Sequence, residues 1–118
     1  MITDWSGIAY EYAFTTKKPV LFINTPMKVM NPKYEEIPVE PFNVWCRSEI
    51  GQELEVNELK NIDKVVDDML KSNKEYNKKI TDITNEYVYN IGHSGEVGAE
   101  YIIDCIQKKI SERSQNKW

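Results

Sequence analysis

The fold is decided near the start of the chain, by residues 2–14 (ITDWSGIAYEYAF) and residues 17–24 (KKPVLFIN). We interpret the first stretch as the end of a buried strand, a tight turn and a helix from about Asp4 to Thr16. Pro19 ends that helix, and residues 20–23 are apolar without alternation, which is typical of a parallel strand covered on both faces. The pattern therefore predicts a strand–helix–strand unit of an α/β fold.

The turn between the predicted strand and helix has the composition of a phosphate site. Asp4 or Ser6 would cap the helix, and Gly7 has no Cβ to hold a phosphate away from the backbone. Amides at a helix N-terminus lack intrahelical partners, and the helix dipole favours negative charge there. Glu11 lies one turn further along the same face and would accept hydrogen bonds from a sugar hydroxyl pair. The alternative is an ordinary strand–helix–strand unit without a ligand.

A long connection follows the second strand, from residue 24 to residue 41, with four prolines and no glycine. It leaves the carboxyl end of a strand, where open α/β sheets bind ligands, so Lys28 is a candidate contact for a diphosphate. A solvated loop lysine is the other interpretation. A third strand is predicted near Asn43–Cys46. We therefore predict the second half of a doubly wound, Rossmann-like parallel sheet of about three short strands.

Two further residues are candidate phosphate contacts. Arg47, just past the predicted third strand, could bind a phosphate with two parallel hydrogen bonds, or it could pair with Glu49 or Glu53. His93 is the only histidine of the chain. It could contact a phosphate or act as a base, or it could be a polar loop residue before the helix that Ser94 is predicted to cap.

The second half of the chain has helical periodicity. A stripe of apolar residues at helical spacing begins after Asn57, continues through a second helix from about Lys74 to Tyr89, and recurs after Ser94. We expect residues 1–56 to form the nucleotide-diphosphate region and residues 57–118 a three-helix region of one partial domain. The last helix is predicted to face inward with Val97, Tyr101, Ile102, Cys105, Ile106 and Ile110.

Composition excludes several classes of function. A net charge of −4 argues against a broad nucleic-acid-binding face. No run approaches the ~18 apolar residues of a membrane-spanning helix, and no secretion signal begins the chain. Cys46 and Cys105 lack the spacing of metal ligands and indicate two free thiols in a reducing cytoplasm. We therefore predict a cytoplasmic protein without a metal or cofactor.

A resemblance covers nearly the whole chain. Residues 3–37 (TDWSGIAYEYAFTTKKPVLFINTPMKVMNPKYEEI) resemble the nucleotide-donor region of the CDP-glycerol glycerophosphotransferase family, bacterial enzymes that build teichoic-acid-type and capsule polymers. The similarity continues weakly through residues 41–44 and 47–51 and returns at residues 86–96. These enzymes have the two-domain GT-B architecture, and the chain matches only their last part. We therefore expect a fragment, encoded by a truncated or split gene or cut from a longer enzyme.

The resemblance implies donor binding without catalysis. It assigns Ser6 and Gly7 to the diphosphate of a CDP-linked polyol, Glu11 to the ribose, and Asp4 to holding the turn. The catalytic histidines and the acceptor site would lie upstream, in a missing half that is the expected partner, at the inner face of the membrane. The alternatives are another GT-B sugar-nucleotide glycosyltransferase or epimerase, and a non-catalytic interaction module that self-associates.

Overall fold

The computed structural model describes residues 1–27 and 29–115, so the candidate diphosphate contact Lys28 lies outside the described residues. The chain divides into two units, Met1–Thr84 and the part from Asn85 onward. The strands are β1 (Ile2–Thr3), β2 (Val20–Asn24) and β3 (Gly51–Glu55), the α-helices are α1 (Ile8–Thr16), α2 (Phe42–Ile50), α3 (Ile62–Lys71), α4 (Asn73–Tyr87) and α5 (Ser94–Gln115), and 3-10 helices cover Tyr34–Glu36 and Val56–Asn61.

The first unit is built on a small parallel sheet with the order β1–β2–β3. Ile2 pairs with Leu21 in the register of β1 against β2, and Val20 pairs with Gly51 in the register of β2 against β3. The central strand β2 begins with three buried apolar residues, as a strand covered on both faces requires. The prediction of an α/β fold with about three short parallel strands and a helical second half is confirmed.

Helices cover both faces of this sheet. Alternate side chains of a strand point to opposite faces, so neighbouring residues of β2 pack against different helices. Val20 and Phe22 pack with buried residues of α1, α2 and α4, and the small Ala9 and Ala13 let α1 lie close to the strands. Leu21 packs on the other face with Leu54 and with Met69 of α3, and the half-buried Ile62, Val65 and Val66 of α3 pack against this cluster. The carboxyl ends of all three strands consequently share one edge, which carries the turn after β1, Asn24 and Glu55.

The predicted third strand near Asn43–Cys46 is wrong. These residues belong to α2, which begins after Pro41 and buries Cys46, Arg47 and Ile50 on one side. Buried residues spaced by three and four positions form one face of a helix. The prediction of a strand considered only the short apolar run at the start of this segment and not that spacing. The third strand instead starts directly after α2, at Gly51.

The second unit consists mainly of α5. This helix begins at Ser94 itself, so Ser94 is its first residue and does not cap it. The predicted inward-facing residues of α5 are exposed, including Tyr101, Ile106 and Cys105. The prediction that they face inward is therefore wrong, because helical spacing carries no information on whether another element covers these side chains. No helix in the described ranges is long and apolar enough to cross a membrane.

Candidate anion site at the carboxyl edge of the sheet

The turn of residues 4–7 connects the carboxyl end of β1 to α1. The helix begins at Ile8, four residues later than predicted, and Gly7 is its N-cap with φ −61° and ψ −24°. No side chain caps the helix, so the prediction that Asp4 or Ser6 does so is wrong. The first turn is closed by the backbone instead, because the amides of Ala9 and Tyr10 donate to the carbonyl oxygens of Ser6 and Gly7, both at 3.2 Å.

The amides just before this closed turn are open. Gly7 and Ile8 are exposed, and no group in the described part of the chain accepts a hydrogen bond from either amide. Around Gly7, a Cβ atom would meet nothing within 4 Å, so a ligand can approach the backbone there from solvent. Two free amides at the positive end of a nine-residue helix are suited to an anion.

Arg47 places a buried cation beside this turn. Its guanidinium carbon lies 3.7 Å from the centre of the Trp5 ring and 4.6 Å from the centre of the Phe22 ring. Trp5 is itself fixed, since its indole N–H donates to the Thr25 carbonyl oxygen at 2.7 Å. Arg47 itself is 1% exposed, so water screens its positive charge only weakly.

The hydrogen bonding of Arg47 is incomplete. Its Nη2 donates to Asn24 Oδ1 at 2.6 Å, whereas Nε and Nη1 are buried without a hydrogen-bond partner. Nε lies 3.6 Å from Glu53 Oε2, close enough for an ion pair and too far for a good hydrogen bond. Of the two glutamates considered, Glu53 is therefore the partner, and Glu49 pairs with Lys79 at 2.9 Å. A buried donor left without a partner costs about 1–3 kcal/mol.

A chain of polar contacts links the ends of β2 and β3 to Arg47. The Asn24 side chain accepts from Arg47 and donates from Nδ2 to Glu55 Oε1 at 2.7 Å. Sequence reasoning missed Asn24 and Trp5 as parts of this edge. Their positions carry the signal, because Asn24 is the last residue of β2 and Trp5 lies two residues after the carboxyl end of β1.

The other candidate residues are less engaged. Asp4 and Glu11 are exposed, Glu11 on α1 four residues after Gly7. His93 belongs to the second unit, where its Nδ1 lies 3.5 Å from Glu96 on an exposed surface. The structure thus brings Arg47 next to the turn through Trp5 and leaves the roles of Ser6, Gly7 and Glu11 as predictions. No cluster of three metal-ligating side chains occurs within residues 1–27 and 29–115.

A groove of about 300 Å³ runs along Trp5. Its walls are mostly apolar, and the polar residues Asn31 and Asn43 border it, which is the usual composition of a small-molecule site. One wall comes from the long proline-containing connection that follows β2. The groove lies next to the turn because both include Trp5.

Comparison with protein-family models, with curated proteins and with solved structures finds no match to this chain. The resemblance to CDP-glycerol glycerophosphotransferases therefore stays a prediction.

Proposed function

We propose that the β1–α1 turn binds the diphosphate of a CDP-linked polyol. The chain would then be the donor-binding part of a transferase of the CDP-glycerol glycerophosphotransferase family. The observation that carries this proposal is the pair of unbonded, exposed amides of Gly7 and Ile8 at the carboxyl edge of the sheet. Because the dipole of α1 adds positive potential there, the backbone alone can position a phosphate.

The sheet supports the finer part of the proposal, that it is the second half of a doubly wound, Rossmann-like sheet. Its three strands are parallel, in sequence order, and connected by helices. Ligands of such sheets bind outside the carboxyl ends of the strands. The upstream half of the sheet and the first domain would then be supplied by a preceding polypeptide.

The charges near the turn favour binding of a phosphate by the backbone amides over binding by the net charge of the chain. Arg47 is a positive charge fixed below Trp5, and two nearby carboxylates, Glu53 and Glu55, already have partners. A phosphate at the turn would interact with the field of Arg47 and with the α1 amides. Such preorganised groups stabilise the negative charge that develops on a diphosphate leaving group.

The remaining parts of the donor have matching surroundings. Glu11 lies one turn from Gly7 on α1, within the reach expected for a ribose hydroxyl pair. The groove along Trp5 offers an apolar wall with the amide side chains of Asn31 and Asn43 for a pyrimidine base. No residue of this chain is assigned to catalysis, so we expect the chain alone to bind donor without transferring the polyol phosphate.

Amide NMR during titration with CDP-glycerol tests the proposal. We expect the resonances of Gly7, Ile8 and Ala9 to move first and to saturate together. CDP should reproduce the shifts, while cytidine, which lacks the phosphates, should leave the resonances of these three amides unchanged. Unchanged amide resonances at millimolar CDP-glycerol would contradict the proposal.

A matched pair of variants separates binding from folding. Gly7→Val puts a branched side chain where a phosphate would approach, and neither its φ nor its surroundings oppose the change. Gly95→Val makes the same change in α5, again with nothing within 4 Å. We expect the first variant to abolish the CDP-induced shifts and the second to retain them. Equal binding by both would place the phosphate elsewhere.

Competition among nucleotides decides between the proposal and another GT-B enzyme. CDP should displace bound CDP-glycerol better than UDP or GDP. A preference for UDP or GDP would still support a phosphate site at the turn. It would indicate a sugar-nucleotide glycosyltransferase or epimerase in place of the proposed transferase.

A further inference from the structure

The Trp5 ring covers N–H groups of Arg47 that make no hydrogen bond. The guanidinium carbon lies 3.7 Å from the ring centre, and Nε and Nη1 are buried without a hydrogen-bond partner in the described part of the chain. Buried polar groups of native proteins are seldom left in this state, and each one requires an explanation. Here the covering ring belongs to the turn of the proposed phosphate site, two residues before Gly7. The unused donors therefore lie beside a residue of that site.

The Trp5 ring is held at the surface of the first unit. In the free chain it is half-buried, and its indole N–H makes one hydrogen bond, to the Thr25 carbonyl oxygen. Among the described residues, the two buried apolar clusters of this unit form without Trp5. The groove of about 300 Å³ beside the ring offers space into which it can turn. The ring can therefore leave Arg47 without disrupting the core.

We propose that Trp5 is a movable cover, which an anion with two linked phosphate groups displaces from Arg47. This inference rests on the proposed phosphate site at the β1–α1 turn. One phosphate binds the open amides of Gly7 and Ile8. The other accepts a hydrogen bond from an Arg47 N–H group that makes none in the free chain. The cation thereby becomes a direct contact of the diphosphate and no longer acts only through its field.

The number of phosphate groups decides whether the ring moves. A ligand shifts a conformational equilibrium only by the difference in its affinity for the two states. Orthophosphate at the amides makes the same contacts with the ring in either position, so it leaves the ring on Arg47. A diphosphate gains a charge-assisted hydrogen bond only after the ring has moved, and such bonds are roughly twice as strong as neutral ones. This gain offsets the lost cation–π contact and the lost indole hydrogen bond.

The carboxylates near Arg47 leave it available to a second phosphate. Glu53 Oε2 lies 3.6 Å from Nε, which is too far for a good hydrogen bond, and the Glu53 side chain is 36% exposed and can turn to water. Glu55 accepts from Asn24 Nδ2 at 2.7 Å, and Asn24 Oδ1 in turn accepts from Arg47 Nη2 at 2.6 Å. The second phosphate therefore competes with one long ion pair and leaves the Asn24 contacts intact.

NMR of the full chain with inorganic pyrophosphate and with orthophosphate tests the displacement. In the free chain, NOEs should connect the Trp5 ring to the Arg47 side chain. We expect pyrophosphate to remove these NOEs and to accelerate hydrogen exchange of the indole N–H, because its bond to Thr25 breaks. Orthophosphate should shift the amide resonances of Gly7 and Ile8 and leave the NOEs unchanged. NOEs that persist at saturating pyrophosphate would overturn the proposal.

Variants of the ring and of the cation should change pyrophosphate affinity in opposite directions. Trp5→Ala removes the cover, so we expect the affinity to rise at least about threefold. Arg47→Met removes the direct contact and should lower it at least about tenfold. The control Lys71→Met removes an equal charge from an exposed position on α3 and should change it less than about twofold. A loss of affinity in Trp5→Ala, or equal losses in Arg47→Met and Lys71→Met, would contradict the proposal.

This inference and the proposed function fail separately. Amide resonances of residues 7–9 that ignore both phosphates and CDP-glycerol would remove the phosphate site, and the movable cover with it. Amides that respond to pyrophosphate while the NOEs between Trp5 and Arg47 persist would overturn only the cover. In that case the donor site remains, and Trp5 is a fixed part of its wall.

Discussion

At the scale of single residues, Arg47 combines near-complete burial with two nitrogen atoms that make no hydrogen bond. Replacing a buried ion by an apolar side chain of similar volume is often neutral or stabilising, because the desolvation penalty disappears. We therefore expect Arg47→Met to keep the free energy of unfolding within about 1 kcal/mol of the parent or to raise it. Glu53, whose side chain is 36% exposed, can return to water. The same variant should weaken CDP binding.

The control is Glu53→Gln, which leaves Arg47 buried with a neutral partner. We expect it to lower the free energy of unfolding by about 1–3 kcal/mol, as measured by urea denaturation. A loss of more than about 3 kcal/mol in Arg47→Met would show instead that the cation is needed for the fold.

Cys46 gives a prediction about pH. Burial, with a smaller contribution from the charge of Glu49, raises the pKa of its thiol from 9.0 to about 11. The unfolded thiol ionises first, so the folded state holds more protons between these two values and stability falls as pH rises through this window. Below about pH 9 the contribution is present in full.

The burial that raises this pKa should also make Cys46 far less reactive than Cys105. At pH 8 we expect a disulfide reagent such as DTNB to modify Cys105 within seconds, because that thiol is exposed. Cys46 should react only at the rate of unfolding, and both thiols should react at once in urea. Simultaneous fast modification of both thiols in the native chain would show that Cys46 is not buried between α2 and the sheet.

At the scale of elements, Gly51 joins α2 to β3 without a loop. A Cβ atom there would overlap the carbonyl oxygen of Val20, the residue that pairs with it on β2. Gly51→Ala must therefore separate the two strands, and we expect it to lower the free energy of unfolding by more than about 3 kcal/mol. Gly7→Ala, where the space is open, is the matched control and should change it by less than about 0.5 kcal/mol. Urea denaturation of both variants measures the difference.

The elements also show where sequence reasoning succeeded and failed. β2 was predictable because buried parallel strands are apolar without alternation, as in Val20, Leu21 and Phe22. The α2 segment was assigned wrongly because its first residues, read alone, fit a short strand as well as a helix. The buried face that decides between them includes Arg47, a charged residue that a hydrophobic pattern does not count.

The site shows the same limits. The β1–α1 turn was predictable, since its composition reflects local backbone requirements. The contact of Arg47 with Trp5 and Asn24 was not, because it joins residues 42 and 23 positions apart in the chain. A helix cap also depends on local residues, but the predicted caps Asp4 and Ser6 were wrong. Their side chains do not cap α1, whose first turn is closed by the backbone.

At the scale of the whole molecule, the sheet of the first unit depends on packing at both faces. Met69 of α3 is 6% exposed and packs with Leu21 and Leu54, whereas the next residue, Leu70, is 66% exposed. We expect Met69→Ala to lower the free energy of unfolding by about 2–4 kcal/mol, because it leaves a cavity. Leu70→Ala on the same helix should change it by less than about 0.5 kcal/mol. Similar losses for both in urea denaturation would mean that α3 packs in a different rotation.

The stacking of Trp5 on Arg47 also makes the molecule its own optical probe. Indole emission responds to a nearby charge, and here a guanidinium carbon lies 3.7 Å from the ring centre. The chain has three tryptophans, so replacing Trp45 and Trp118 by phenylalanine leaves one emitter at the β1–α1 turn. The wavelength and quantum yield of its emission would then report any rearrangement at that turn, without a label and at micromolar concentration.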